Sequence, residues 1–233
     1  MLEIITAPGF FVAVLQIVAI DIVLSGDNAV VIALACRNLP VAQRRIGILW
    51  GVAGAVLLRV LLTVFAVRLL GFPWLKLGGG FLLLWIGIQL LVPEEDGAPD
   101  IKPADHLLGA IRTIIVADFV MSLDNVIGVA AAAKDNIYLL GFGLLVSIPL
   151  IVWSSQLILK LMERFPVVVV LGAGLLGWVA GEMMVGDLAV RDWIATQWPI
   201  AYHLLPALGT LLVVLTGKWM EHRQAARRDI PIV

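Results

Sequence analysis

Charge is what this sequence has least of: only 14% of its 233 residues are charged, while 61% are hydrophobic. An ordinary water-soluble domain carries about 25% charged residues. The shortage excludes a soluble globular domain and places the chain in lipid. The net charge of −1 leaves no basic footprint for nucleic acid. A single cysteine, Cys36, excludes an intramolecular disulfide framework and any multi-cysteine zinc site. The opening stretch MLEIITAPGFFVAVL lacks the basic region and small-residue cleavage site of a signal peptide. Its apolar run is therefore expected to stay in the mature protein.

What is present is a series of long apolar runs. A membrane-spanning helix needs about 20 such residues, and the polar breaks leave seven predicted spans, near 9–36, 46–70, 74–92, 108–133, 137–161, 167–187 and 200–220. The chain, 1–233, reads as one all-α membrane domain. A three-span unit over 9–92 and a second over 108–187 flank a linker over 93–107, and the seventh span covers 200–220. The stretch PEEDGAPDIKPADH, with three prolines and six charged residues, supplies most of that linker.

Lys and Arg concentrate on one set of connections: Arg37, Arg44, Arg45, Lys102, Arg112, Lys160, Arg164, Lys218, Arg223, Arg227 and Arg228. The other set has Arg68, Lys76, Lys134 and Arg191. The richer side is expected in the cytoplasm, with the linker and the C-terminus, and the N-terminus outside. Trp74, Trp193, Trp198 and Trp219 fall near span ends, where half-polar rings suit the interface. Trp193 is a candidate for a short interfacial helix. Asp187 and Asp192 read as solvated loop charges, and His203 as an interface histidine rather than a ligand.

The halves repeat. Asp21-Ile-Val-Leu-Ser25-Gly-Asp27-Asn28 in the first span matches Asp118-Phe-Val-Met-Ser122-Leu-Asp124-Asn125 in the fourth at five of eight positions. Gly78-Gly-Gly80 with Trp85 is echoed by Gly172-Ala-Gly174 with Trp178. Because three spans is an odd number, the second copy must enter the membrane from the opposite side. The expected result is a pair of inverted repeats, an architecture whose substrate site lies near the midplane.

An Asp at the centre of a spanning helix costs ~2.5 to 3.5 kcal/mol, so four exposed to lipid would approach ~10 to 14 kcal/mol. Asp21, Asp27, Asp118 and Asp124 must therefore face the protein interior, carry protons or share a cation. At 3.6 residues per turn Asp21, Ser25 and Asn28 share a helix face, as do Asp118, Ser122 and Asn125. Local unwinding would turn Asp27 and Asp124 inward as well. Gly26 makes that easy in the first copy, whereas Leu123 stands at the matching place in the second.

Carboxylate, amide, hydroxyl and carbonyl oxygens suit hard divalent cations such as Mn2+, Mg2+ or Ca2+. Asp21, Asp27, Asn28, Asp118, Asp124 and Asn125 are the candidate ligands, with Ser25 and Ser122 as secondary ones. Met121 and Met183 offer a thioether that would favour Mn2+. Arg59, mid-span in the second helix, aligns with Gln156 in the fifth; it either pairs with an empty-site carboxylate and releases it to metal or forms a fixed salt bridge. Glu182, aligned with Gln89, is a candidate for the outward pathway. No prosthetic group is expected.

These motifs resemble the TerC family of integral membrane proteins, particularly its YjbE-like branch. The matching text is DIVLSGDNAVVIALACRNLP, VADFVMSLDNVIGVAAAA and, more weakly, GAGLLGWVAGEMM. The resemblance spans about residues 8 to 220. It implies a bacterial inner-membrane protein, linked by name to tellurite resistance and associated chiefly with manganese efflux. The metal-binding acids of the family fall on Asp21, Asp27, Asn28, Asp118, Asp124 and Asn125. Export by alternating access is expected, and release can be coupled to proton entry because carboxylates left without metal in low dielectric tend to protonate.

Two readings from other classes stand beside this one. Ser25-Gly-Asp27 faintly resembles the motif of an intramembrane aspartyl protease, which needs two Asp sharing a proton. The chain could also be a metal-responsive partner of another membrane complex that transports nothing itself.

Overall fold

The computed structural model describes residues 14, 15, 17–19, 21, 26–69, 71–92, 103–133 and 137–228, with the side chains of 66–68, 103–105, 124–133, 137–139 and 224–228 left outside the description. Among these residues all regular structure is helical. In lipid the backbone must satisfy its own hydrogen bonds, and helices do so within one segment. The helices are α1 Gly26–Cys36, α2 Val41–Leu69, α3 Leu75–Leu91, α4 Pro103–Ala133, α5 Ile137–Arg164, α6 Val167–Val185, α7 Arg191–Gln197 and α8 Ala201–Arg228. Val14, Leu15, Ile17–Ala19 and Asp21 are helical too and precede α1.

Among the described residues five stretches are long and apolar enough to cross a membrane: Val41–Phe65, His106–Leu123, Leu140–Arg164, Val167–Val185 and Ala201–Arg223. The helices α1 and α3 are apolar but shorter. The short helix α7 carries an exposed Trp193. The second predicted span begins earlier than the break at 46. Arg44, in the first turn of α2, donates to the carbonyls of Leu39 (2.9 Å) and Arg37 (3.0 Å) and pairs with Glu163 at the end of α5.

The surface has the polarity of a membrane protein. Trp50, Leu57, Phe65, Trp153, Leu171 and Leu215 are exposed. Asp21, Asn28, Arg59, Asp118 and Ser122 are buried. In water such an apolar exterior would drive association; in a bilayer it is solvated.

Packing follows a crossed pattern. The helix α2 lies against α4, α1 against α5, and α3 against α6, while α8 covers α6 and touches α3. One buried cluster joins Ile17, Ile48, Val52, Ile114 and Leu144. Another joins Leu34, Leu83, Val120, Leu176 and Met183 and also holds Met121, so both methionines lie in apolar packing. At the α6–α8 contact a Cβ on Gly177 would overlap the Gly209 backbone, and one on Gly181 would overlap Pro206. Close approach of this kind lets dispersion hold helices together in lipid, where no hydrophobic drive exists between them.

Asp187 corrects the expectation of a solvated loop charge: it is fully buried. Its carboxylate accepts the backbone N–H groups of Trp74 (2.9 Å), Leu77 (3.0 Å) and Ala189 (2.8 Å). The reason lies in α3, whose N-terminus carries no side-chain cap of its own and is entered through Trp74 at φ 72°. The orphan N–H groups of that first turn need an acceptor, and the α6–α7 connection supplies one. Burial raises the Asp187 carboxyl, but the donors from Ala189, Leu77, Trp74 and Lys76 outweigh it and hold the group below the usual carboxylate range. Asp192 is exposed, as expected.

Candidate cation site

Halfway along α2, Arg59 extends a guanidinium into the protein, where the residue is 2% exposed. One terminal nitrogen pairs with Asp21 Oδ1 and the other with Asp118 Oδ1. Its Nε donates to Ser122 Oγ at 3.0 Å. Ser122, one turn beyond Asp118 on α4, donates in turn to Asp118 Oδ2 at 3.1 Å. From α1, Asn28 Nδ2 donates to Asp118 Oδ1 at 3.0 Å. One fork of donors thus joins equivalent aspartates from the two copies of the motif. Planar guanidinium is the group best shaped to bridge two carboxylates in this way.

Asn28 Oδ1 is a buried oxygen of this network that no donor meets. The residue is 3% exposed, and this oxygen has no hydrogen-bond partner. A buried amide oxygen without a donor is costly; beside two carboxylates it is also a hard, neutral ligand without a cation. Among the described residues no group of three or more His, Cys, Asp and Glu side chains is arranged to hold a metal. A cation held by the described side chains would depend on mixed oxygen donors.

The other candidates are distributed unevenly. Asp27 sits in the first turn of α1, half-buried, its Oδ1 accepting the N–H of Asn28 at 2.9 Å. A carboxylate there suits the positive end of the helix, and it is within electrostatic reach of Arg59 and Asp118. Ser25 lies outside the described residues, as does the segment 22–25 on which unwinding of the first copy was expected. Asp124 and Asn125 lie on α4, with side chains outside the description. That helix runs unbroken through Leu123. Glu182 is not part of this cluster: it is exposed on α6 and accepts the Trp178 indole N–H at 2.8 Å. Gln156 on α5 is half-buried.

A cavity of about 530 Å³ opens where α1 and α3 end and α4 begins, its wall including Asn38, Gln89, His106 and Thr113. Thr113 precedes Asp118 on α4 by roughly 7 Å of helix rise. Sequence reasoning singled out none of this lining as a group, because its members come from four separate helices and the α1–α2 connection.

The paired motif on α1 and α4 sits within a stretch, residues 6–225, that matches the model of the integral membrane protein TerC family. The chain belongs to the TerC family. It is 44% identical over 212 residues to the uncharacterized membrane protein YjbE of Bacillus subtilis, covering 91% of this chain and 96% of that one. It is 27% identical over 191 residues to the inner membrane protein YgdQ of Escherichia coli, covering 74% of this chain and 79% of the relative. A third relative, the uncharacterized membrane protein YceF of B. subtilis, is 24% identical over 173 residues, 70% of this chain and 67% of that one. No solved structure matches this TerC-family chain.

Proposed function

We propose that this chain exports a hard divalent cation, Mn2+ foremost, across the bacterial inner membrane by alternating access. The observation that carries the reading is the meeting of Asp21 and Asp118, equivalent acids of two sequence repeats, across one guanidinium in the interior of the helical bundle. Helix association alone would not require that the same acid be duplicated and then brought to one point. The unpartnered Asn28 Oδ1 adds a neutral oxygen ligand, and the donor set as a whole favours Mn2+, Mg2+ or Ca2+ over softer metals. Manganese is the member of that class which the family resemblance implies, and it is substrate here rather than a resident cofactor.

An inverted-repeat, seven-span arrangement is supported by the packing pattern. Exchanging the first, second and third helices of one copy for those of the other turns the α1–α5 contact into the α4–α2 contact and leaves α3–α6 as itself. The helical residues before α1 complete the first span, and α8 is the seventh. The basic ends of α2, α5 and α8 support a cytoplasmic C-terminus, and the cavity beside Asn38 and His106 would then face the cytoplasm as the entry side. The similarity to the E. coli inner membrane protein YgdQ supports the inner membrane.

An aspartyl protease fits this geometry poorly, since Arg59 stands where the two acids would have to share a proton. The deciding experiment is Mn2+ flux in proteoliposomes with Ca2+, Mg2+ and Zn2+ as competitors. Asp21→Asn and Asp118→Asn are each expected to lower flux at least about a hundredfold, the loss of a charged ligand in low dielectric being worth about 3 kcal/mol or more. Robust flux in both variants would remove the acids from the transport path. A response of wild-type flux to an imposed pH gradient tests proton coupling.

A further inference from the structure

We infer that Arg59 is a tethered counter-cation: its guanidinium holds the carboxylates of Asp21 and Asp118 when the site is empty, and a divalent cation enters by displacing it. The inference rests on the transport reading and concerns how the emptied site recrosses the membrane.

Two observations carry it. The guanidinium engages Oδ1 of both aspartates, so a cation bridging the two repeats competes with it for the same pair of carboxylates, and the two positive groups repel where like charges are poorly screened. The second is that Asn28 Oδ1 is buried beside Asp118 and accepts nothing. A guanidinium already spread over Asp21, Asp118 and Ser122 does not use it, whereas a metal ion has coordination positions to fill.

The tether exists once. At the aligned place in the second copy stands Gln156, so one arginine serves both acids and one long, flexible stem moves the charge in and out. Exchange of one positive group for another lets the empty carrier return without carrying bare carboxylates through the bilayer. Without Arg59, the loaded form still shuttles while the empty form is trapped.

The test separates those two movements in vesicles containing the full chain, with Mn2+ as the probe. Net Mn2+ transport into metal-free vesicles requires return of the empty site; exchange of labelled for unlabelled Mn2+ does not. Arg59→Gln is expected to bind Mn2+ about tenfold tighter or more, to lose net transport by a similar factor and to keep exchange within about threefold of wild type. Arg59→Lys, which retains the charge, is expected to restore most of the net transport. Equal loss of both modes in Arg59→Gln, or unchanged net transport, would overturn the counter-cation role and leave Arg59 a fixed bridge. Failure of the wild type in both modes would instead sink the transport reading itself. Should Arg59→Gln not reconstitute, arginine side-chain NMR of the wild type titrated with diamagnetic Ca2+ decides: the Arg59 Nε–H should shift and exchange faster with solvent at saturation. An unmoved, protected Nε–H at saturating Ca2+ overturns the proposal.

Discussion

The two copies of the motif share five of eight residues, yet they are built differently. In the first, α1 starts at Gly26, so Asp27 lies at a helix N-terminus while Asp21 stands on the helical residues before it. In the second, Asp118 and Ser122 ride on α4, which continues through Leu123 to Ala133. A Cβ added at Gly26 would meet nothing within 4 Å, whereas Leu123 is 2% exposed and packed in the core. Asp27 and Asn28 are thus carried at the start of a helix, whereas Asp118 and Ser122 are carried in the interior of another. The difference in charge is as sharp: Arg59 on one side, Gln156 on the other. The repeat presents the acids in pairs, and the differences at Gly26/Leu123 and Arg59/Gln156 make the halves unequal.

That inequality can be broken directly. Leu123→Gly, which copies the first repeat into the second, is expected to cost about 3 to 5 kcal/mol through the cavity it leaves and the glycine it puts mid-helix. The reverse change, Gly26→Leu, should leave thermal stability in detergent nearly unchanged. If the two swaps lowered the unfolding temperature equally, the contrast between helix start and helix interior would be wrong.

A smaller effect is expected at the staple between the third helices of the copies. Asp187→Ala removes the acceptor for the first turn of α3 and should destabilise by about 2 kcal/mol. Because the folded-state carboxyl is held below its ordinary value, its contribution is complete above about pH 4 and is lost as pH falls through the lowered value. Wild type and Asp187→Ala should therefore converge in stability toward acid pH, and a gap that stayed constant from pH 7 to pH 3 would refute the assignment. Smallest of all, Gly78→Ala, where a Cβ meets open space, should stabilise α3 by up to about 1 kcal/mol, unlike any substitution at neighbouring Gly80, which faces the Ala180 carbonyl.

The helical class and most helix positions were legible because a bilayer makes one demand, apolar length, that sequence states openly. Ends were less legible: α2 starts at Val41 because Arg44 finds local carbonyls and Glu163, partners that no hydropathy window weighs. Of the candidate site, Asp21, Asn28, Asp118, Ser122 and Arg59 all stood out as polar groups in apolar runs. Which of them would touch did not, since the fork of Arg59 depends on how α2 lies against α4. Asp187 gave no sign of its own. The clue was elsewhere, in Gly71-Phe72-Pro73-Trp74, an entry to a helix without a single capping side chain. The lining beside Asn38, Gln89 and His106 was hidden for the same reason as the fork, being assembled by lateral packing.

The Asp187 staple also decides which helices can least slide past one another. It ties the start of α3 to the end of α6, the Gly80–Ala180 contact keeps the same two helices in register, and Gly177 against Gly209 adds α8. Those three helices form one keel, braced at one rim and interlocked along its length. Arg59 and the two aspartates stand beside the keel rather than within it, among the crossed contacts of α1, α2, α4 and α5.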